Sequence, residues 1–344
     1  MPLPTGRDLS ETLERLTFSV RGSNRERLDR YLLRKLGWSS RTKIQKLISL
    51  DRVTVNDRPG KAAMKVGRGD EVVVRLVLEA ANFEEHPPLP PPLWEDPYLF
   101  AVAKPAGQLV HPTGKTLTGT VIDAIHARYA ANNERSARPV VARLCHRLDR
   151  DTSGLLLVAK TLPMRQAMQA EFEADRVRKG YVAIVEGVPN QPTFEVDAGI
   201  VDHIDRSKPH SNRLARVDES GRTALTRFEV LGGTDEWSIV HCRPQTGRQN
   251  QIRAHLASVG SPILGDTGYG SDPSALPEET PPATRALLHS HQLRFRHPVW
   301  GAERELRCPV AEDFLPFFAA ADLDPEVIPG TPPLPPLPAD RPVR

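Results

Sequence analysis

The stretch HRLDRDTSGLLLVAK, residues 146–160, decides the fold prediction because polar, turn-forming and apolar segments follow one another in it. His, Arg and Asp stand directly before a Thr-Ser-Gly turn, and the apolar run at residues 155–159 follows at once. A short apolar run bounded by glycine is typical of a buried strand. The pattern therefore predicts a functional site at the mouth of a β-sheet.

Three further blocks combine polar and aromatic residues in a similar way. They are RPQTGRQNQIRAHLASVGSPILGD at residues 243–266, KGY at 179–181 before the apolar run of a strand, and LLHSHQLRFRHP at 287–298. His289 and His291 alternate along the last block, as side chains on one face of a strand do. No third ligand stands nearby, so we expect structural histidines and no metal site.

Together these blocks resemble the signatures of the RluA-type pseudouridine synthases, which isomerise uridine within RNA. HRLDRDTSG is similar to the family's HRLDxxTSG, KGY to KxY, QNQIRAHL to THQIRxHL, and the last block to LHAxxLxFxHP. The resemblance implies that Asp149 is the catalytic carboxylate, that Tyr181 lies against the target base, and that Arg253 forms a salt bridge with the aspartate. Arg147 and Arg150 flank this aspartate, where we expect them to contact RNA phosphates or the flipped nucleotide.

Two positions qualify the resemblance. Gln249 and Asn250 stand where the family usually has Thr or Ser followed by His, so a role of that histidine cannot be carried over. Both residues are polar, and a hydrogen bond can survive the replacement. Asp151 is the rival carboxylate, but a cap on the following turn suffices to explain it.

The implied chemistry requires an ionised carboxylate and little else. Isomerisation breaks the N1–C1′ bond, turns the base and joins C5 to C1′, without redox change, metal or energy donor, so no cofactor is expected. A carboxylate can attack C1′ or abstract the 2′ proton, and the resemblance leaves both routes open. A nearby cation favours the ionised form that either route needs. Stacking on an aromatic ring contributes about 1–3 kcal/mol toward extruding the base.

The N-terminal part of the chain has its own pattern of two helices followed by short strands. The segment RLDRYLLRKL places four residues on one helical face: Leu28, Tyr31, Leu32 and Leu36. Ser39 or Ser40 can cap a second helix over residues 41–50. The segments VTVND and GDEVVVRL are typical of short strands.

This arrangement resembles the RNA-binding domain named after ribosomal protein S-four. The second helix directs Arg41, Lys43 and Lys46 outward, where they can contact phosphates with little choice of sequence. Residues 21–75 hold 15 Lys and Arg and 6 Asp and Glu, a net charge of +9 within a chain of net charge +3. We expect a polyanion to be read mainly by this domain.

The sequence thus predicts an α+β fold: a catalytic domain on an extended mixed or antiparallel sheet with flanking helices and loops, plus a small N-terminal α+β RNA-binding domain. The predicted segments are a weakly ordered leader at 1–20, the RNA-binding domain at 21–78, a proline-rich linker at 79–93, the catalytic domain at 94–325 and a proline-rich tail at 326–344. Within the catalytic domain we predict strands at 99–103, 155–159, 181–186, 225–231 and 238–241, a helix at 162–173, and loops at 205–219 and 270–282.

Several protein classes do not fit this sequence. No apolar run reaches the roughly 18 residues of a membrane span. The first twenty residues contain Glu11, Glu14 and Arg15 in place of an apolar signal core. The cysteines Cys145, Cys242 and Cys308 form no CxxC pair, which indicates buried free thiols. We expect a cytoplasmic monomer with no membrane partner.

The sequence therefore favours an RNA pseudouridine synthase that acts on large-subunit, 23S-type ribosomal RNA. Alternatives are a transfer-RNA synthase of the same family and a non-catalytic RNA-binding or ribosome-assembly factor. A glycosidase fits poorly because Asp149 has no acidic partner except Asp151.

Overall fold

The computed structural model of the protein describes residues 16–22, 25–36, 41–49, 51–75, 90–111, 119–133, 140, 142–204 and 213–334. The chain divides into two compact units, one formed by residues 1–88 and 109–143 and the other by residues 89–108 and 144–344. Sequence analysis instead assigns residues 109–143 to the catalytic domain.

The first unit begins with short strands around a pair of helices. Its elements are β1 (Leu16–Ser19), β2 (Glu26–Arg27), α1 (Leu28–Lys35), α2 (Arg41–Ser49), β3 (Val53–Val55), β4 (Arg58–Pro59), β5 (Lys65–Val66) and β6 (Glu71–Val74). Strand order is β1-β6-β3-β4 in one antiparallel sheet, and β2 pairs with β5. The predicted helical face is buried: Leu28, Tyr31, Leu32 and Leu36 pack with Ile44 and Ile48 of α2.

The start of this unit lies earlier than predicted. Sequence analysis assigns residues 1–20 to a leader, whereas Leu16–Ser19 forms β1 because Leu16 and Phe18 pack against the core. Ser39 and Ser40 lie outside the described residues, as does most of the predicted linker. Helix α3 (Val121–Asn133) also belongs to this unit, and its first residue donates a backbone hydrogen bond to Leu109 at 2.9 Å.

The second unit holds the long strands. In chain order these elements are β7 (Trp94–Glu95), β8 (Leu99–Lys104), β9 (Arg143–Leu144) at the unit's boundary, β10 (Ser153–Ala159), α4 (Leu162–Glu173), β11 (Arg178–Glu186), β12 (Thr193–Asp197), β13 (Ile200–Ile204), β14 (Arg213–Val217), β15 (Leu225–Gly233), β16 (Trp237–Pro244), α5 (Gln251–Ser258), β17 (Leu288–Arg296), β18 (Glu303–Arg307) and α6 (Leu315–Ala320). The five predicted strands are confirmed with ends extended by one to three residues, and the predicted helix is confirmed with the predicted bounds.

The central sheet has the strand order β12-β15-β16-β11-β17-β10-β8-β7, with β18 beside β17. Neighbouring strands along this order pair antiparallel except β10 and β17, which run parallel. The predicted α+β class with an extended mixed sheet is confirmed. Strand β10, the apolar part of residues 146–160, is buried along its whole length.

The approach of β10 to β17 requires a glycine at its second position. Gly154 has a φ of +108°, and a Cβ there would lie 2.2 Å from the carbonyl oxygen of Ser290. Any other residue would force the strands apart. Gly154, the glycine of the Thr-Ser-Gly turn, therefore allows β10 to pair closely with β17 a few residues after Asp149.

Two predicted irregular segments carry structure. Arg213–Val217, within the predicted loop 205–219, pairs with β13, because Ala215 packs into a small apolar cluster. The predicted tail at 326–344 packs on the body through residue 331: Ile328 is buried, and the N–H of Thr331 donates to Gln292 Oε1 at 2.7 Å. Residues 335–344 lie outside the described chain.

The described part of the chain also settles the state of the thiols. Cys145, Cys242 and Cys308 are free and buried, as predicted. Among the described residues no helix is both long and apolar enough to cross a membrane.

Candidate active site

Asp149 projects from an anchored segment that leads into β10. His146 Nε2 accepts a hydrogen bond from the N–H of Leu157 at 2.9 Å, and its ring stacks on Phe172 with a centroid separation of 5.0 Å. Burial lowers the pKa of His146 to about 3, so the ring stays neutral and keeps its acceptor nitrogen. Leu148 is buried, whereas the side chain of Asp149 is 28% exposed.

Arg253, in the first turn of α5, faces two carboxylates. Its Nη1 lies 3.9 Å from Asp149 Oδ2, while Nε and Nη2 donate to the carboxylate of Asp266 at 2.6 and 2.9 Å. Hydrogen bonds are weak beyond about 3.2 Å. Asp266 therefore holds the guanidinium in place, and Asp149 interacts mainly with its charge. The salt-bridge partner named by sequence analysis, Asp149, is the more distant of the two.

The surroundings of Arg253 keep it protonated. Burial alone would lower its pKa, but the hydrogen bonds and charge of Asp266 outweigh the burial, and the net pKa is raised. Asp149 acts in the same direction. The guanidinium carbon lies 4.8 Å from the ring centroid of Tyr269, a further favourable contact for a cation. The site thus has a fixed positive charge beside Asp149.

Asn250, one of the two residues that depart from the family pattern, belongs to this arrangement. It precedes α5 with a φ of +54°, a left-handed conformation that asparagine adopts more readily than most residues. Its Oδ1 accepts a hydrogen bond from Nη1 of Arg253 at 2.9 Å. The other departing residue, Gln249, is exposed. The replacement at position 250 therefore supports the arginine that faces Asp149.

Asp266 is the part of the site that sequence reasoning missed. It ends the block 243–266 directly after Gly265, where an aspartate is ordinarily interpreted as a turn residue. The structure buries its side chain to 2% exposure against Arg253. Gly265 has a φ of +80°, and a Cβ there would lie 2.0 Å from the carbonyl oxygen of Arg285. This tight turn places the carboxylate of Asp266 next to Arg253.

Tyr181 lies on β11, opposite Cys242 of β16 and Ser290 of β17. The pairing register with β17 shifts between Gly180 and Tyr181, the kind of irregularity that re-aims a side chain. Burial raises the pKa of Tyr181 to about 12, and the charge of Asp149 adds to this effect. The phenol therefore stays protonated, and its ring packs partly exposed at the edge of an apolar cluster.

Asp149, Tyr181 and Arg253 line one cleft of about 670 Å³, all of it within the second unit. This volume falls in the range of about 300–1,000 Å³ that is typical of ligand sites. The cleft's charged lining is Arg147, Glu173, Asp175, Lys179, Arg222 and Arg248 in addition to Asp149 and Arg253. Burial lowers the pKa of Lys179 to about 8, and its Nζ donates to the Thr246 carbonyl at 3.1 Å.

The residues that flank Asp149 separate into two groups. Arg147 is exposed and lines the cleft, as expected for an RNA contact. Arg150 and Asp151 are not part of the cleft lining. Nε of Arg150 donates to the Gly107 carbonyl at 3.1 Å, so the geometry favours Arg147 over Arg150 as the contact nearest the site.

The two alternating histidines have protein partners. Ser153 Oγ and His289 Nδ1 lie 2.9 Å apart, and His291 Nδ1 lies 2.7 Å from the Cys308 carbonyl. Within the described ranges, no group of three or more His, Cys, Asp or Glu side chains is arranged to hold a metal ion.

A second candidate interface lies on α2 in the first unit. The guanidinium of Arg41 is 58% exposed and contacts Asp29 at 3.4 Å. The carboxylate of Asp29 is fully buried and accepts two hydrogen bonds of 3.0 Å from Arg27, which lowers the pKa of Asp29 to about 2. The side chains of Lys43 and Lys46 lie outside the described residues.

The chain is similar to known RNA pseudouridine synthases. Residues 98–258 match the family described as RNA pseudouridylate synthase, and residues 26–72 match the S4 domain. An uncharacterised RNA pseudouridine synthase of Bacillus subtilis, YlyB, is 32% identical over 84% of this chain and 91% of its own length. The ribosomal large subunit pseudouridine synthase D of Nitrosomonas europaea is 33% identical over 86% of this chain and 84% of its own.

Solved structures give the same answer for the fold. The human RNA pseudouridylate synthase domain containing 4 is 26% identical with a TM-score of 0.52, covering 68% of this chain and 93% of its own. The chain belongs to the RluA-type RNA pseudouridine synthase family. It is therefore an enzyme that acts on RNA, with an S4 domain at its N-terminus, as the sequence predicts.

Proposed function

We propose that the protein isomerises specific uridines of large-subunit ribosomal RNA and that Asp149 is its catalytic carboxylate. The observation that carries this proposal is the 3.9 Å approach of Arg253 Nη1 to Asp149 Oδ2 inside a cleft also lined by Tyr181. A carboxylate that is 28% exposed beside a fixed cation can reach a substrate bound in the cleft.

Each residue has one task in this proposal. A flipped uridine enters the cleft with its base against the ring of Tyr181 and its C1′ toward Asp149. The carboxylate either attacks C1′ or removes the 2′ proton, and the N1–C1′ bond breaks in both cases. The base turns and C5 bonds to C1′, which releases the Asp149 carboxylate from C1′ in the first route and is accompanied by return of the 2′ proton in the second. C5 then loses its proton, and N1 gains one. Arg253 stabilises the negative charge that Asp149 carries before it attacks C1′ or removes the 2′ proton, and again when the carboxylate is regenerated.

Cationic residues around the cleft supply the RNA contacts. Arg147, Lys179, Arg222 and Arg248 line it, and phosphate binding by such residues orients an RNA without choosing its sequence. Arg41 of the S4 domain adds an exposed cation. We assign Arg147 and Arg41 as RNA contacts, together with Lys43 and Lys46 on the basis of the sequence, and Arg150 in a minor role.

The choice of ribosomal RNA rests on relatives. The proteins of Neisseria meningitidis, Nitrosomonas europaea and Zymomonas mobilis that are 31–33% identical to this chain are named ribosomal large subunit pseudouridine synthase D. The S4 domain, with its excess of basic residues, fits a large structured RNA. A ribosomal substrate also fits the expected cytoplasmic location and action as a monomer.

The test is pseudouridine mapping of total RNA from a strain that lacks the protein and from the same strain carrying the wild-type gene or Asp149→Asn. We expect one or a few large-subunit rRNA sites to disappear, to return with the wild-type gene and to stay absent with the variant. Loss confined to transfer RNA would overturn the substrate assignment. Restoration by Asp149→Asn would overturn the catalytic assignment.

A further inference from the structure

The backbone that follows Asp149 is held from both sides by the basic side chains of Lys104 and Arg285. On one side, Lys104 at the end of β8 is 1% exposed, and its Nζ donates to the carbonyls of Pro105, Gln108 and Arg150 at 2.7, 2.8 and 2.9 Å. Three carbonyls match the three N–H donors of an ammonium. One of them belongs to the residue next to Asp149.

On the other side, Arg285 reaches the next residues from the segment before β17. Its Nη1 donates to the carbonyl of Asp151 at 2.7 Å, and its Nη2 donates to Ser153 Oγ at 3.1 Å. Ser153 in turn contacts His289 at 2.9 Å. A single guanidinium therefore fixes two residues, Asp151 and Ser153, that lie 134 and 132 positions from it in the sequence.

Arg285 has no donor left for a ligand. Nε and Nη2 bind the two carboxylate oxygens of Asp313 at 2.7 and 2.8 Å, and Nη1 also donates to Ala286 O at 3.0 Å. With the bonds to Asp151 and Ser153, the five N–H groups of the guanidinium are used. Its carbon lies 5.5 Å from the ring centroid of Phe314, and its side chain is 9% exposed.

We propose that Arg285 is a positioning residue for the catalytic carboxylate: it locks the backbone at Asp151 and Ser153, with Lys104 as its counterpart at Arg150, and thereby sets where Asp149 stands relative to Arg253. Neither Arg285 nor Lys104 lines the cleft. Lys104 acts at the carbonyl of Arg150, and Arg285 acts at the carbonyl of Asp151 and the hydroxyl of Ser153. The proposal rests on the catalytic role proposed for Asp149.

The geometry requires the planar fork of arginine. A lysine at position 285 keeps the positive charge but offers one nitrogen, which cannot reach Asp313, Asp151 and Ser153 together. Loss of the fork leaves the carbonyl of Asp151 without its partner and lets the segment move. A displacement of about 1 Å at a reacting group can lower a rate by about 100-fold.

The test compares Arg285→Lys with Arg294→Lys, a matched control on β17. Arg294 is 18% exposed, and its guanidinium binds the carboxylates of Glu303 and Glu305 on β18, away from the hydrogen bonds that hold residues 150–153. Single-turnover isomerisation and RNA affinity are measured for both folded full-length variants. We expect Arg285→Lys to lower the rate about 10- to 100-fold, with RNA affinity within about threefold of wild type, and Arg294→Lys to keep the wild-type rate.

A second measurement does not depend on activity. Hydrogen–deuterium exchange of peptides that cover residues 149–153 reports how firmly this backbone is held. We expect faster exchange there in Arg285→Lys than in Arg294→Lys. A wild-type rate in folded Arg285→Lys, or unchanged exchange at 149–153, would overturn the proposal, as would a parallel loss of rate and RNA affinity.

Asp313→Asn decides the question if Arg285→Lys does not fold. The side chain of Asp313 is 37% exposed, so its replacement loosens the anchor of Arg285 and leaves the bonds to Asp151 and Ser153 possible. A smaller rate loss with unchanged RNA affinity and faster exchange at 149–153 supports the proposal, and a wild-type rate overturns it. If Asp149→Asn proves active, the catalytic assignment fails while the exchange data still decide whether Arg285 holds this segment.

Discussion

Asp29 in the S4 domain and Asp266 behind the cleft each bury a carboxylate against arginine side chains, yet the arginines they hold face different surroundings. Arg41, beside Asp29, is 58% exposed, whereas Arg253, beside Asp266, is 19% exposed and points one nitrogen at Asp149. Asp266 orients Arg253 through two short hydrogen bonds, whereas Asp29 binds mainly Arg27 and lies 3.4 Å from Arg41. The exposed Arg41 can bind RNA phosphates, whereas the largely buried Arg253 interacts with the carboxylates of Asp149 and Asp266.

Similar ion pairs can therefore serve different steps of one reaction. In water, an exposed cation attracts RNA over a distance set by salt. In a cleft, a cation fixed by a buried partner needs no reorganisation when charge develops next to it. We therefore expect changes around Asp149 and Asp266 to alter the chemical step, and changes around Arg41 to alter RNA capture.

The largest effect is expected from Asp149→Asn. The amide keeps the volume of the side chain but can neither attack C1′ nor remove a proton, so the isomerisation rate should fall at least about 1,000-fold. RNA affinity should stay within a few-fold of wild type. Asp151→Asn is the control, because Asp151 is not part of the cleft lining and should keep most activity. The reverse order of the two variants would transfer the catalytic role to Asp151.

Asp266→Asn should have the next largest effect. The amide cannot replace the carboxylate that accepts two hydrogen bonds from Arg253. We therefore expect the free energy of unfolding to fall by about 3–5 kcal/mol and the isomerisation rate to fall about 100-fold. Single-turnover rates and thermal melting are measured together, below the melting temperature of the variant. Glu303→Gln, which breaks the more exposed pair with Arg294, is the control and should cost no more than about 1 kcal/mol.

Asp29→Asn makes the corresponding change in the S4 domain. It also breaks a buried pair, yet it should leave the single-turnover rate at saturating RNA unchanged, because Asp29 belongs to the first unit. A rate loss equal to that of Asp266→Asn would mean that the S4 domain takes part in the chemical step.

Acid pH should destabilise the second unit more than the S4 domain. His241 and His289 are 0% and 2% exposed, and burial lowers the pKa of each to about 3. The unfolded chain binds their protons near the ordinary pKa of about 6.5, so stability is full above pH 6.5 and is lost as the pH falls toward 3. At pH 5 the loss is about 2 kcal/mol for each histidine.

The S4 domain lacks this sensitivity. Residues 1–85 contain no histidine, and the pKa of Asp29 near 2 keeps its ion pair intact above about pH 4. Calorimetry at pH 7.5 and pH 5 should therefore show the transition of the second unit moving down while that of the S4 domain stays. His289→Gln should reduce the movement. Equal shifts of both transitions would show that the histidines are not the cause.

The smallest effect is expected from Arg41→Gln. The variant removes one exposed cation, so RNA affinity should fall a few-fold and the slope of log affinity against log salt should flatten by about 0.7–0.9. The single-turnover rate at saturating RNA should not change. An unchanged salt slope would remove Arg41 from the RNA interface, and a lower saturated rate would contradict the division of roles between the two regions.

Much of the fold was predictable because local patterns agree with the final packing. The periodic apolar residues of α1 and the continuous apolar run of β10 are buried as the sequence indicates. The strand at Arg213–Val217 was not predictable, because its burial comes from a tertiary contact of Ala215 and not from an alternating pattern. Leu16–Ser19 was missed for a similar reason: its partner β6 lies about fifty residues away.

The site divides in the same way. The motifs indicate Asp149, Tyr181 and Arg253, and the structure brings all three to one cleft. The partners that hold them, Asp266 and Arg285, were not predictable from the sequence. Each stands beside turn residues and acts through a contact with a distant segment, so no local pattern distinguishes it from an ordinary loop residue.

The parallel junction of β10 and β17 has a consequence for the timing of activity in the cell. Its register joins Ser153 to His289 and Gly154 to Ser290, across more than 130 residues of chain. Contacts so distant in sequence form late, because a long loop must close first. A ribosome that has released Asp149 but not yet β17 therefore carries a nascent chain without a finished cleft. Synthesis itself therefore delays modification of RNA until β17 has been made.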